Sequence, residues 1–273
     1  MHILAQVKPS EGVLPVPGAD LYYRRRGAGP PLLLMQGGSG AAEHSDALAA
    51  GLSDRWTVLT YDRRGLSRSC LHGPVGAHGV AVHADDARRL LDALAEEPAV
   101  VVGASIGALI GLDLLARHPD RVRLLVAHEP PAVGLLGGAD RAAAEQLEAA
   151  AASAYRVGGL PAAVPHLMAM VGFSAPEGPP PAPQAIRDLA FFLEHDLPAV
   201  RRYEPDRDAL QGVAERMLPA AGETSTDVYA HRCARALAAA LGRPLATFPG
   251  GHNGFISHPQ ECVARLLELL DAH

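Results

Sequence analysis

At 273 residues the chain has the length for one α/β domain with a full core and an insertion. Apolar residues make up 48% and charged residues 20%, the balance of a folded globular protein rather than a disordered one. A formal charge of −6, with Lys8 the single lysine among 24 basic residues, argues against a nucleic-acid partner, since phosphate backbones are bound through clustered Lys and Arg. Three scattered cysteines (Cys70, Cys233, Cys262) without C-x-x-C spacing argue against a disulfide framework or a zinc site and fit a reducing cytoplasm. Met1-His2-Ile3-Leu4-Ala5 shows no basic region leading into a long apolar stretch, so no signal peptide is expected there. The preference for Arg, Ala, Gly and Pro points to a GC-rich bacterial source.

In chain order, Arg24-Arg25-Arg26 reads as a solvated strand end. Residues 31–36 form an apolar run that ends in Gly37-Gly38-Ser39-Gly40, a buried strand leading into a Gly-rich loop. Residues 42–52 have helical composition, and 56–61 form a second buried strand closed by Asp62-Arg63-Arg64-Gly65. Over residues 80–95, Ala87, Leu90, Leu91 and Leu94 share one helical face. A strand at 99–102, a helix at 106–117 and a strand at 122–127 follow. Within 98–116 the only charge is Asp113, but Pro98, Gly103, Gly107 and Gly111 punctuate the segment, so a buried strand turning into a buried helix is expected rather than a membrane span. This alternation predicts an α/β fold with a mostly parallel, doubly wound sheet.

The rhythm breaks after Pro130-Pro131. Helical stretches at 141–155 and 185–194, separated by a Pro-rich linker at 176–183, predict a helical cap over 133–205 inserted into a core of 1–132 and 206–273. Alternation resumes with a strand at 217–221, a helix at 228–241, a strand at 244–248 and a final helix at 259–272.

Gly103-Ala104-Ser105-Ile106-Gly107 falls where the third strand meets the third helix. A tight turn there lifts a serine hydroxyl above the sheet, provided that the residues two before and two after carry almost no side chain. The helix N-terminus adds free N–H groups beside it. Such a serine needs a base. His252, in Pro249-Gly250-Gly251-His252-Asn253-Gly254 after the last strand, is the candidate; His118, His231 and His273 read as surface or helix residues. A carboxylate must then hold the imidazole. Glu129, stiffened by Pro130-Pro131 after the fourth strand, is favoured over Glu223 and Asp227, in a stretch where Ser225 stands at a place where Asp is common. Ile106 and Gly38 are the expected oxyanion donors, with Gln36 ahead of the glycine loop where His was expected. Asp113 and the pair Asp85-Asp86 lie on predicted helices without His or Cys partners, which favours solvation or capping over a metal site.

The serine, acid and histidine in this order, with the Gln-Gly-Gly-Ser loop and the Tyr-Asp-Arg-Arg-Gly turn, resemble the α/β-hydrolase superfamily over essentially the whole chain. Gly65-Leu66-Ser67-Arg68-Ser69, His128-Glu129-Pro130-Pro131 and His252 followed by Ser257-His258-Pro259 are similar to the zearalenone lactonase-type serine hydrolases. That resemblance implies Glu129 as the acid and a lactone among the substrates. The expected activity is a cofactor-free serine hydrolase for a hydrophobic ester or lactone, with Met168, Met170, Phe173, Phe191, Phe192 and Leu197 lining a chamber or packing the cap. A homodimer stays open. The alternatives are a natural-product thioesterase or cyclase, a C–C bond hydrolase, and a non-catalytic ligand receptor on the same scaffold.

Overall fold

The computed structural model describes residues 10–172 and 181–273. The sheet begins earlier than the first apolar run. β1 (Ser10–Val16) and β2 (Ala19–Arg26) form an antiparallel hairpin, turned at Gly18, whose φ of 80° suits glycine. β1 escapes an apolar-run reading because most of its side chains face solvent. Arg24, Arg25 and Arg26 end β2 as expected, but they are paired with the next strand over, and Arg24 grips Asp46 through two 2.9 Å hydrogen bonds.

The remaining strands are β3 (Pro31–Met35), β4 (Thr57–Tyr61), the short β5 (Cys70–Leu71), β6 (Ala99–Ala104), β7 (Val122–His128), β8 (Met217–Gly222) and β9 (Ala246–Phe248). Their order is β1-β2-β4-β3-β6-β7-β8-β9, with β5 beside β2. All pairs from β4 to β9 along this path are parallel, while β2 runs antiparallel to its three neighbours.

Strand periodicity divides the core in two. Leu33, Met35, Leu59, Val101 and Leu125 face α2 (Val80–Leu94) and α3 (Ile106–Arg117). Their chain neighbours Leu32, Leu34, Val58, Val100, Val102 and Leu124 face the other way, onto α1 (Asp46–Leu52) and the last helix, Pro259–Asp271. Because both faces are covered, Leu32, Leu33 and Leu34 are all buried, and each contributes about 2 kcal/mol of burial. This explains the unbroken apolar run.

Between β7 and β8 the described residues form helices and loops only. α4 (Gly138–Met170) is bent at Gly159, whose φ of 64° breaks the helical path ahead of Pro161. α5 (Pro183–Phe191) continues into a π-helical turn, Phe192–Asp196, then α6 (Leu197–Arg202) and α7 (Arg207–Gly212). After β8 come α8 (Tyr229–Leu241), α9 (Gly254–Ser257) and α10 (Pro259–Asp271). α8 serves two cores. Leu237 and Leu241 join the sheet, while Tyr229 and Cys233 join Val133, Ala144, Ala151, Leu167, Met170 and Leu197, from between β7 and β8, in a separate cluster.

The pair Asp85-Asp86 corrects a sequence expectation. Asp85 does lie at the surface, on Arg117, but Asp86 is fully buried and holds Arg64 through two 2.6 Å hydrogen bonds. A buried acid on a helix face looks like a solvated one until the cation that reaches it from a distant turn is known. Among the described residues no helix is long and apolar enough to cross a membrane.

Candidate active site

Ser105 sits between β6 and α3 with φ 54° and ψ −123°, a conformation in which a non-glycine residue costs about 1–3 kcal/mol. The flanking glycines show what holds it there. A Cβ on Gly103 would stand 2.5 Å from the Gly107 carbonyl oxygen, and one on Gly107 would stand 2.3 Å from that of Met35. The helix can approach β6 and β3 this closely only because both positions lack side chains. The Ile106 amide, first of α3, points out of the helix end without an intrahelical acceptor.

Glu129 follows β7, immediately beside the Ser105 turn, since the Ser105 amide donates to the His128 carbonyl at 2.9 Å. It too has a positive φ, 47°. Among the described residues three non-glycine residues have a positive φ, and Ser105 and Glu129 are two of them. The strain is held by fixed neighbours: the Glu129 amide donates to the Ala220 carbonyl at 2.9 Å, and Pro130 follows.

The Glu129 carboxylate is fully buried and bonded at both oxygens. Oε2 meets His252 Nδ1 at 2.7 Å. Oε1 accepts from the Gly222 amide at 2.9 Å and from the Ser225 hydroxyl. Burial alone would raise its pKa, but the hydrogen bond and charge of His252, aided by His128 and Ser225, bring it down to about 2. The group stays ionised.

His252 stands in the loop after β9. That loop comes close because Gly222 at the end of β8 has no side chain: a Cβ there would lie 2.6 Å from the Gly251 backbone. With Nδ1 on Glu129, the free ring nitrogen is Nε2. Among the described residues no hydrogen bond joins His252 to the Ser105 hydroxyl; such contacts are often loose before substrate binds. Glu223 and Asp227, the other candidate acids, are exposed.

Gly38 lies in the loop after β3. The preceding glycine brings this loop against Ser105, since a Cβ on Gly37 would be 3.5 Å from that of Ser105. Gln36 points away, donating to Ser45 Oγ at 3.1 Å. Of the expected chamber residues, Phe192 is the one that reaches this loop, its ring 3.2 Å from where a Gly38 Cβ would be. Phe191 packs on Gly65 and on His78. Met170 and Leu197 are buried in the insertion's own cluster, with Met168 partly buried against it. Phe173 lies outside the described residues.

Three participants were not anticipated. Ser225 was noted only as a missing aspartate, yet it is a donor to Glu129. His231, expected to be a surface or helix residue, is buried at the start of α8 with Nδ1 3.4 Å from Ser225 Oγ. His128 is fully buried with neither ring nitrogen bonded among the described residues; burial pushes its pKa down to about 4, and it stacks on Phe255 at 4.7 Å. A serine and two histidines, in a chain with 13 histidines, carry no periodic signal of such contacts.

Comparison with known proteins agrees with this architecture. The family model described as alpha/beta hydrolase fold matches residues 30–174. The protein called uncharacterized hydrolase YraK from Bacillus subtilis is 36% identical over 266 residues, spanning 96% of each chain. A solved hydrolase from Pseudomonas aeruginosa PA01 superimposes with a TM-score of 0.72 at 26% identity, covering 95% of this chain and 98% of that one. The enol-lactonase from Burkholderia xenovorans LB400 shares the fold with a TM-score of 0.72 at 21% identity, covering 95% of this chain and all (100%) of its own. The parallel sheet, the strained serine turn and these relatives lead to one statement of kinship: the chain belongs to the alpha/beta-hydrolase fold family.

Proposed function

We propose that the protein is a serine hydrolase that cleaves a carboxylic ester or lactone of a hydrophobic small molecule through an acyl-enzyme on Ser105. The observation that carries this reading is the 2.7 Å bond between His252 Nδ1 and the buried, ionised Glu129, set one strand from a serine with φ 54°. That bond assigns the Nδ1 proton and leaves Nε2 as the base. Nε2 takes the Ser105 proton as Oγ attacks the carbonyl carbon, and Glu129 stabilises the imidazolium without itself accepting the proton. Negative charge developing on the carbonyl oxygen falls to the Gly38 and Ile106 amides. The imidazolium then protonates the departing alkoxide as the C–O bond breaks. Water, deprotonated by the same nitrogen, releases the acyl group.

A hydrophobic substrate is supported by Phe192 over the oxyanion loop. A lactone, and the zearalenone lactonase-type kinship with it, is supported by the motifs around Gly65, Glu129 and His258 alone. The decisive experiment is a panel of p-nitrophenyl esters of increasing length, with zearalenone and simpler lactones, on wild type and Ser105→Ala, alongside labelling by a fluorophosphonate. The expected result is labelling and hydrolysis by wild type and neither by the variant. An unlabelled wild type that cleaves nothing on the panel ends the serine-hydrolase reading. Ester cleavage without lactone cleavage ends the lactonase part only.

A further inference from the structure

Arg63 is fully buried under the loop that carries Gly38, and its guanidinium is shared between that loop and the helical insertion. One terminal nitrogen donates to the Gln36 carbonyl at 3.1 Å and to the Gly37 carbonyl at 2.5 Å. The other donates to the Gly38 carbonyl at 3.1 Å and to Asp196 Oδ2 at 2.8 Å. The Arg63 amide adds a 3.0 Å bond to the Gly40 carbonyl. In a planar trans peptide the C=O and the next N–H point in opposite directions. Fixing the Gly37 carbonyl on Arg63 therefore aims the Gly38 N–H away from Arg63.

Asp196 is the other half of this clamp. It ends the π-helical turn that begins at Phe192, so one turn of the insertion puts an aromatic ring on Gly38 and a carboxylate on the arginine beneath it. Single π-helical turns are rare and frequent at functional sites. Asp196 Oδ1 is held in addition by His78 Nε2 at 2.6 Å and His83 Nε2 at 3.1 Å, both from the segment that begins α2. Burial would raise the Asp196 pKa, but Arg63 and the two histidines hold it well below the usual carboxylate range. Burial lowers the pKa of His83 against the pull of Asp196. His78, His83 and Asp196 offer ligand atoms within 4.8 Å of one another, the spacing of a divalent-cation site among the described residues. The guanidinium already on Asp196 repels a second cation, which favours the hydrogen-bonded clamp.

We propose that Asp196 is a positioning residue: through Arg63 it fixes the peptide that presents the Gly38 amide, so that the oxyanion hole is complete only while the helical insertion is seated. This rests on the serine-hydrolase reading for its catalytic consequence, but the mechanical link can be measured without it. A separate contact between the insertion and the core serves as the control. Asp188 accepts the Ser67 amide at 2.8 Å and, among the described residues, makes no hydrogen bond to residues 36–40.

The test compares Asp196→Asn, Arg63→Lys, their double variant and Asp188→Asn. Arg63→Lys keeps the charge but loses the fork that spans loop and carboxylate. For p-nitrophenyl butyrate, Asp196→Asn and Arg63→Lys are expected to lower kcat by about 10- to 100-fold with KM within about 3-fold, the pattern of an interaction made in the transition state. The double variant is expected to be no worse than the poorer single one. Fluorophosphonate labelling of Ser105 falls by the same factor, and amide hydrogen exchange over residues 36–41 accelerates. Asp188→Asn leaves all four readouts near wild type. Unchanged kcat and exchange in Asp196→Asn overturn the proposal, as does an equal loss in Asp188→Asn. If Asp196→Asn does not fold, Arg63→Lys decides alone. If wild type hydrolyses and labels nothing, the proposed function fails while exchange over residues 36–41 still decides the clamp. Zn2+ binding that is lost in His83→Ala overturns the clamp in favour of a metal site.

Discussion

His231 Nδ1 lies 3.6 Å from Glu129 Oε1, on the carboxylate oxygen that His252 does not use. The distance is too long for a direct hydrogen bond, and Ser225 stands between, donating to Glu129 with its own oxygen 3.4 Å from the same imidazole. The acid is thus gripped from two sides. His252 holds one oxygen, and a chain of α8 and the β8 loop holds the other.

Ser225→Ala removes a charge-assisted bond from a buried carboxylate. An expected loss of about 10-fold in kcat/KM follows from the usual strength of such bonds. The Glu129 pKa, no longer lowered by that donor, moves upward. A pH–rate profile on a nitrophenyl ester checks this; rates within 2-fold of wild type across the profile would show that Gly222 and His252 suffice.

Glu129→Gln keeps the shape but offers an amide to His252 Nδ1 and permits the wrong tautomer. A loss of about 10³- to 10⁴-fold in kcat is expected, with the fold retained by circular dichroism. For stability the sign is that of a depressed acid. The stabilisation from Glu129 is present above the unfolded carboxylate pKa of 4.5 and is lost as pH falls toward about 2. The variant lacks this, so its thermal midpoint falls less between pH 5 and pH 3 than that of wild type.

Glu148 titrates in the opposite sense. It is buried in the insertion, with the Tyr229 hydroxyl on Oε1 at 3.1 Å, and burial pushes its pKa up from 4.5 to about 7. A raised acid favours the protonated folded state, so stability is full below the unfolded pKa and is lost as pH rises toward 7. Glu148→Gln, permanently neutral, is expected to gain on the order of 3 kcal/mol relative to wild type between pH 4 and pH 8. Unfolding by urea at the two pH values measures it; an equal difference at both would refute the shift.

Gly107 and Gly111 occupy one face of α3 yet differ in what surrounds them. A Cβ on Gly107 meets the Met35 carbonyl oxygen at 2.3 Å, whereas one on Gly111 meets a Leu125 methyl at 2.6 Å. Backbone cannot move aside, and a leucine can change rotamer. Gly107→Ala is therefore expected to cost more than about 3 kcal/mol, or to leave no folded protein, and Gly111→Ala about 1–2 kcal/mol. Thermal melts of the two variants decide it.

The sequence by itself determined those features whose signals are local. Runs such as Leu32-Leu33-Leu34 and Val100-Val101-Val102 had to be strands covered on both faces, because each residue is apolar and alternate ones point in opposite directions. Glycines two residues either side of Ser105 marked the tight turn, since only a chain without Cβ atoms fits there. A glycine-flanked loop marked His252. The tertiary structure alone decided which acid meets that histidine: Glu129, Glu223 and Asp227 were all plausible by position, and strand order put one in the core and left two exposed. It also decided the partners of Arg63, Asp86, Asp196 and Ser225. These are charged or polar residues whose neighbours lie 133, 22 or 96 residues apart. No periodicity records such pairings, because burial of a charge is satisfied by one partner in space rather than by a pattern along the chain.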